Sequence, residues 1–162
     1  MPEVLYEERQ RVENWIFALL VALVVGGLGW AYTVDDDSSP YVIIAVMVCM
    51  VAFLANLCTL RTVVKSGEVY VRLGCLVPCY WRRLPIDTIR SARAVTYRPL
   101  RDAGGWGVRF GKFEGRYTSF LNIRGNRGVW IDTGARPLIV GSDAPEALWR
   151  AIEKARHSTK GK

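Results

Sequence analysis

Six arginines fall within twenty residues, Arg82, Arg83, Arg90, Arg93, Arg98 and Arg101, with Tyr80, Trp81 and Tyr97 interleaved among them. A guanidinium offers phosphate a planar fork of donors, and aromatic rings sit well at headgroup depth. The chemistry this stretch suits is contact with anionic headgroups. The competing reading is a solvated outer sheet face, on which arginine stems cover apolar surface. Nucleic acid would use the same side chains, but no recognition motif accompanies them, so no nucleic-acid partner is expected.

Other chemistries fail on inventory. Cys75 and Cys79 stand at a C-x3-C spacing, yet the remaining cysteines, Cys49 and Cys58, lie in an apolar run, and the single histidine is His157 near the end. A four-ligand zinc site has no second pair to complete it, so no metal is expected. Gly104-Gly105-Trp106-Gly107 is not a dinucleotide fingerprint, because Phe110 stands where the last glycine should be, and Gly111-Lys112 is followed by Phe113 rather than Ser or Thr. No cofactor is expected. A Ser–His–acid arrangement would have to recruit His157, and the acids between Arg61 and Lys162 are scattered, so the chain reads as non-enzymatic.

Charge and hydropathy are segregated along the 162 residues. Trp15 to Val34 and Tyr41 to Leu60 hold no charged residue, and Asp35-Asp36-Asp37-Ser38-Ser39-Pro40 separates them. Twenty residues of helix rise about 30 Å, the thickness of a bilayer's hydrocarbon core, so two membrane spans, 15–34 and 41–60, are predicted as a hairpin. A cleaved signal peptide is the rival for the first run, but the apolar stretch is long and Glu outnumbers Arg before it. Arg9 and Arg11 precede the hairpin and Arg61, Lys65 and Arg72 follow it, which predicts a multi-pass cell-membrane protein with both termini cytoplasmic. Small residues recur at helical spacing: Ala18, Ala22 and Gly26 on the first helix, Ala45, Cys49, Ala52 and Asn56 on the second. Small residues let helices approach closely and Asn56 can bond across the contact, so these seven are the predicted packing residues, for the two helices against each other or against a second copy.

Beyond the hairpin, Arg61 to Lys162 carries 20 Lys+Arg against 8 Asp+Glu, while the whole chain is only +7. That excess either enforces topology or draws the domain to an anionic leaflet. The pattern here alternates: Thr62–Lys65, a Ser66-Gly67 turn and Glu68–Leu73 read as a β-hairpin, with Val69, Val71 and Leu73 on one face. Further strands are predicted near Cys79–Leu84, Ile89–Tyr97, Gly107–Phe110, Tyr117–Ile123, Val129–Thr133 and Leu138–Val140. Pro85-Ile86-Asp87-Thr88-Ile89 reads as a one-turn connector, and Asp143 with Glu146 as the capping box of a final helix lined by Leu148, Ile152 and Ala155. A disordered tail is predicted from His157.

The order of four short motifs is similar to that of membrane-anchored bacterial pleckstrin-homology-like domains. They are Leu84-Pro85-Ile86-Asp87-Thr88-Ile89, then Tyr97-Arg98-Pro99-Leu100-Arg101 running into Gly104-Gly105-Trp106-Gly107, then Arg124-Gly125-Asn126-Arg127-Gly128-Val129, and Ile139-Val140-Gly141-Ser142 leading to Pro145-Glu146. The resemblance implies a β-barrel capped by a C-terminal helix, no catalysis, and a role in binding or assembly. Ser66-Gly67-Glu68 departs from the basic first turn of phosphoinositide-binding members, so lipid specificity is not carried over.

The expected fold class is α+β: a cytoplasmic lead, 1–14, a two-helix transmembrane hairpin, 15–60, with an external acidic loop, 35–40, a bent sheet or barrel of PH-like build with a C-terminal helix, 61–156, and a tail, 157–162. The expected function is a non-enzymatic interaction module that binds protein partners or itself at the inner leaflet of the membrane whose lipids surround it, aided by anionic headgroups. The alternative is an accessory or structural subunit of a larger membrane complex, contacted mainly through the hairpin.

Overall fold

Alternating and short apolar segments form nine strands among the described residues, and two unbroken apolar runs form two helices. The computed structural model describes residues 3–12, 14–31, 33 and 40–160. The chain opens with strand β1 (Val4–Arg11), followed by helices α1 (Asn14–Ala31) and α2 (Pro40–Leu57). Strands β2 (Thr59–Lys65), β3 (Glu68–Leu73) and β4 (Tyr80–Pro85) complete an antiparallel sheet in the order β1-β2-β3-β4. A 3-10 turn (Ile86–Thr88) leads to β5 (Ser91–Thr96), and a π-turn (Pro99–Ala103) leads to β6 (Gly107–Phe113). Strands β7 (Arg116–Asn122), β8 (Arg127–Asp132) and β9 (Leu138–Gly141) finish a second sheet, ordered β5-β8-β9-β7-β6, in which β7 and β9 run parallel. Helix α3 (Pro145–Lys160) ends the described chain.

The main core lies between the sheets and under α3. Val64, Val69, Val71 and Leu84 from the first sheet meet Val129, Ile131, Leu138 and Val140 from the second, with Leu148, Ile152 and Ala155 of α3. The two connector isoleucines, Ile86 and Ile89, are buried in it. A smaller cluster lies on the other face of the second sheet, where Tyr97 and Ala103 cover Phe120 and Ile139. Gly111 makes that cover possible, because a Cβ there would fall 1.8 Å from the Asp102 carbonyl oxygen.

The membrane hairpin expected from the sequence is corrected. Each helix has 18 residues, about 27 Å of rise against a hydrocarbon core of about 30 Å. Thr59 and Leu60, counted into the second apolar run, are instead the first residues of β2, with buried side chains. Among the described residues, no helix is long and apolar enough to cross a membrane. The transmembrane fold class, the multi-pass placement in the cell membrane and the two-sided topology derived from it are withdrawn accordingly. The acidic residues Asp35, Asp36 and Asp37 lie outside the described residues.

Within the chain, the two helices pack side by side without using the predicted stripe. Ala18, Ala22, Gly26, Ala45, Cys49 and Ala52 are exposed. The close approach is at Gly27, where a Cβ would lie 2.6 Å from Met47 Cε. The N-terminal lead also differs from expectation, since it is a full strand paired with β2 from Val4 to Arg11. At the other end, α3 continues through His157 to Lys160, where a disordered tail was expected.

Candidate anion-binding site

In an antiparallel ladder, directly opposed residues point to the same face of the sheet. Register therefore decides which charges meet. Arg9 on β1 opposes Arg61 on β2, Arg61 opposes Arg72 on β3, and Arg72 opposes Trp81 on β4. The neighbouring inward row, Gln10, Leu60, Leu73 and Tyr80, faces the core, with Gln10 and Leu60 almost wholly buried. Three arginines and a tryptophan thus line up across the outer face of the first sheet. Arg11, two residues beyond Arg9 and opposite Thr59, adds a fourth cation at the foot of the helices.

The row is held but not neutralised. Arg61 is paired with Glu7 at 2.7 Å. Arg72 donates through Nε to the Gly74 carbonyl at 3.0 Å and through its second nitrogen to the Cys75 carbonyl, which fixes the guanidinium on the β3–β4 loop. Arg9 and Arg11 are exposed and have no ion-pair partner among the described residues. Like charges directly opposed on a sheet cost roughly 0.2–1 kcal/mol per pair, and this sheet carries two such pairs. Two adjoining concavities open here, of about 310 and 250 Å³; both are lined by Arg9, Thr59 and Cys75, the first also by Arg11 and the second by Arg61, Arg72 and the Glu7 carboxylate.

Asn56 sets the wall of the site. It lies one residue inside the end of α2 and is 5% exposed. Its side-chain oxygen accepts the backbone N–H groups of Leu76 at 2.7 Å and Val77 at 3.1 Å, while its nitrogen donates to the Val77 carbonyl at 2.8 Å and to Cys79 Sγ at 3.2 Å. Asn56 was expected to bond between helices; it bonds to the β3–β4 loop instead. Gly74 turns that loop at φ +107, and a Cβ there would lie 2.2 Å from the Val77 carbonyl oxygen. Burial, then the neighbouring Cys75, holds the Cys58 thiol above its ordinary value, so it stays protonated. Among the described residues no cluster of three or more His, Cys, Asp or Glu could hold a metal ion.

The six arginines singled out in the sequence are spread over β4, β5, the π-turn and the connections before β5 and the π-turn. Arg82 and Arg83 lie on β4, at the edge of the first sheet, and Arg83 stacks 5.6 Å from the Tyr70 ring. Arg93, on the edge strand β5 of the second sheet, pairs with Glu114 and lies 5.1 Å over Trp130. Arg90 precedes β5, with its guanidinium against Gly134. Arg98 and Arg101 flank and occupy the π-turn, where the Arg98 N–H donates to Asp102 at 2.8 Å. Sequence reading missed Arg9, Arg11, Arg61 and Arg72 as a group. The available signal was the spacing of Arg9 and Arg11 by two, which puts them on one side of a strand, but nothing in the lead announced a strand.

No protein-family model matches this chain, and no curated protein matches it significantly.

Proposed function

We propose that the chain is a non-enzymatic interaction module of pleckstrin-homology-like build, which docks a partner or a second copy of itself through the outer face of its first sheet. The observation that carries this reading is the row Arg9–Arg61–Arg72, a line of directly opposed like charges that costs stability and is only partly offset by the Glu7 carboxylate and the Gly74 and Cys75 carbonyls. A net positive field on an open face speeds encounter with an acidic surface and disfavours cationic ones. Support for the pleckstrin-homology-like build comes from two sheets around one core with a C-terminal helix packed into it. The role without catalysis is consistent with the single histidine, His157, lying exposed near the end of α3.

A second reading has its own observation. Leu19, Leu23, Val42, Val46 and Phe53 are all more than half exposed on the two helices. Helices that are apolar all round are normally enclosed by other apolar surface, and patches of this size mark interaction sites. An accessory subunit gripped by its helices within a larger assembly fits that feature.

One experiment separates the two. A photo-reactive residue is placed in the intact chain at Trp81, at Phe53 or at Trp130, and adducts are collected in cells. Adducts concentrated at Trp81 support the sheet-face module. Adducts at Phe53 alone support the subunit reading, and adducts at none of these positions sink both.

A further inference from the structure

We infer that the twin concavities at the foot of α1 and α2 form a phosphate-binding site, with Arg9 and Arg11 as its primary ligands and Arg61 as the third. This deepens the proposed function and rests on it only in assigning a ligand class to the same face. Arg9 lines both concavities and Arg11 lines one, and neither has an ion-pair partner among the described residues. Their donors are free for an incoming anion, whereas Arg61 shares its charge with Glu7 and Arg72 is committed to the loop carbonyls.

The preference for phosphate over carboxylate follows from geometry. Arg9 and Arg61 are directly opposed, so they rise from the same face of adjacent strands and line one concavity together, and Arg11 lies two residues further along the same strand face. A carboxylate offers two oxygens in one plane and satisfies one fork. A phosphate offers oxygens in several directions and can accept from two forks at once. Thr59, opposite Arg11 and lining both concavities, supplies a hydroxyl on the same face. Among the described residues lining the concavities, the carboxylate is Glu7, which already holds Arg61. The anion can arrive as free phosphate or as the headgroup of an anionic lipid; the recognition chemistry is the same.

The test uses the intact chain and the double variant Arg9→Gln/Arg11→Gln. Inorganic phosphate is titrated calorimetrically, and vesicles of phosphatidylcholine, alone or mixed with phosphatidylglycerol, are sedimented with each protein. Phosphate binding that weakens about tenfold or more in the variant supports the site and identifies a free anion as sufficient. Phosphatidylglycerol-dependent sedimentation that is salt-sensitive and lost in the variant, with no heat from inorganic phosphate, supports the site with the headgroup as source. If neither probe separates the variant from the wild type, the site is overturned, while adducts at Trp81 would leave the interaction module standing. The variant removes one of the opposed like-charge pairs, so its melting temperature is expected to match or exceed the wild type's. Should it fail to fold, Arg9→Lys/Arg11→Lys keeps the charge without the fork; weaker phosphate binding there supports the site and unchanged binding overturns it.

Discussion

The side-chain oxygen of Asn56 accepts the backbone N–H of Leu76 at 2.7 Å, tying the last turn of α2 to the β3–β4 loop. With Val77 bonded to the same side chain through both its N–H and its carbonyl, one buried amide does the work of three backbone partners. The loop therefore owes its shape to a residue 20 and 21 positions before the two it holds. Because that loop also receives Arg72, the wall of the anion site depends on it.

Replacing Asn56 by Ala is expected to destabilise the protein by about 1–3 kcal/mol, because two N–H groups and one carbonyl lose their partner. Amide hydrogen exchange at Leu76 and Val77 should accelerate more than at Val69 or Val71 in the neighbouring strand. Unchanged exchange at those two amides would show that the loop holds itself.

Two glycine substitutions are expected to act in opposite directions. Gly111→Ala drives a methyl into the Asp102 carbonyl and should cost about 1–3 kcal/mol or more, since backbone must move. Its near-ultraviolet circular dichroism should change, as Ala103 leaves the Tyr97–Phe120 pair, whose rings lie 5.7 Å apart. Gly26→Ala sits on a helix face with nothing within 4 Å of the added carbon and should be neutral or stabilising by up to about 1 kcal/mol. A destabilising Gly26→Ala would show that this face is already in contact with something.

Burial pushes the Tyr97 hydroxyl up to about 12 from 10.0, and the nearby Asn122 amide only partly offsets this. Hydroxyl and amide are both buried without a well-formed hydrogen bond between them. The folded form thus resists ionisation that the unfolded form accepts. Its contribution to stability is complete below pH 10.0 and is lost as pH rises through about 12. Tyr97→Phe should flatten this alkaline loss at little cost at neutral pH, because the deleted hydroxyl has no partner to orphan. Denaturant midpoints followed against pH would check it, and parallel alkaline limbs for both proteins would refute it.

At the acid end, the Arg116 guanidinium at 2.7 Å and the Gly134 N–H at 2.8 Å hold the Asp132 carboxyl below its ordinary 3.8. Here the sign is reversed. The stabilisation is present above pH 3.8 and is lost as pH falls through the lowered value. Asp132→Asn should be less stable than wild type at neutral pH, and the difference should shrink on acidification. A gap that stays constant with pH would rule out the carboxylate as its source.

Legibility in the sequence followed side-chain polarity. Val69, Val71 and Leu73 alternate with polar neighbours, and Leu148, Ile152 and Ala155 repeat at helical spacing, so β3 and the buried face of α3 could be read from residue types. Strand β1 could not. Its inward positions are Tyr6, Glu8 and Gln10, which imitate a solvated segment. They are accommodated because the Glu8 carboxylate accepts from Tyr6, Gln10, the Ser142 hydroxyl and the Asp143 N–H, the last two from the far end of the chain. That same contact displaces the expected capping box: Asp143 pairs with Arg124 and Glu146 with Arg127, while Ser142 Oγ accepts the Ala144 N–H. Thr59 and Leu60 continue an apolar run without a break in composition, so the change from helix to strand left no mark. The arginine row was hidden for another reason. It exists only across three strands in register, and no linear spacing encodes that.

Val12 donates its backbone N–H to the Cys58 carbonyl at 3.1 Å, closing the neck where the chain leaves β1 for α1 and returns from α2 to β2. This has a consequence for the order of assembly. The first strand must find a neighbour lying a long way downstream, and the entropy of gathering so much loose chain opposes that meeting. Pairing of α1 with α2 would shorten the effective loop and deliver both strand ends to the same place. On that account the helices zip before β1 joins β2, and the Arg9–Arg61 contact follows the local β2–β3 hairpin that already carries Arg61 and Arg72.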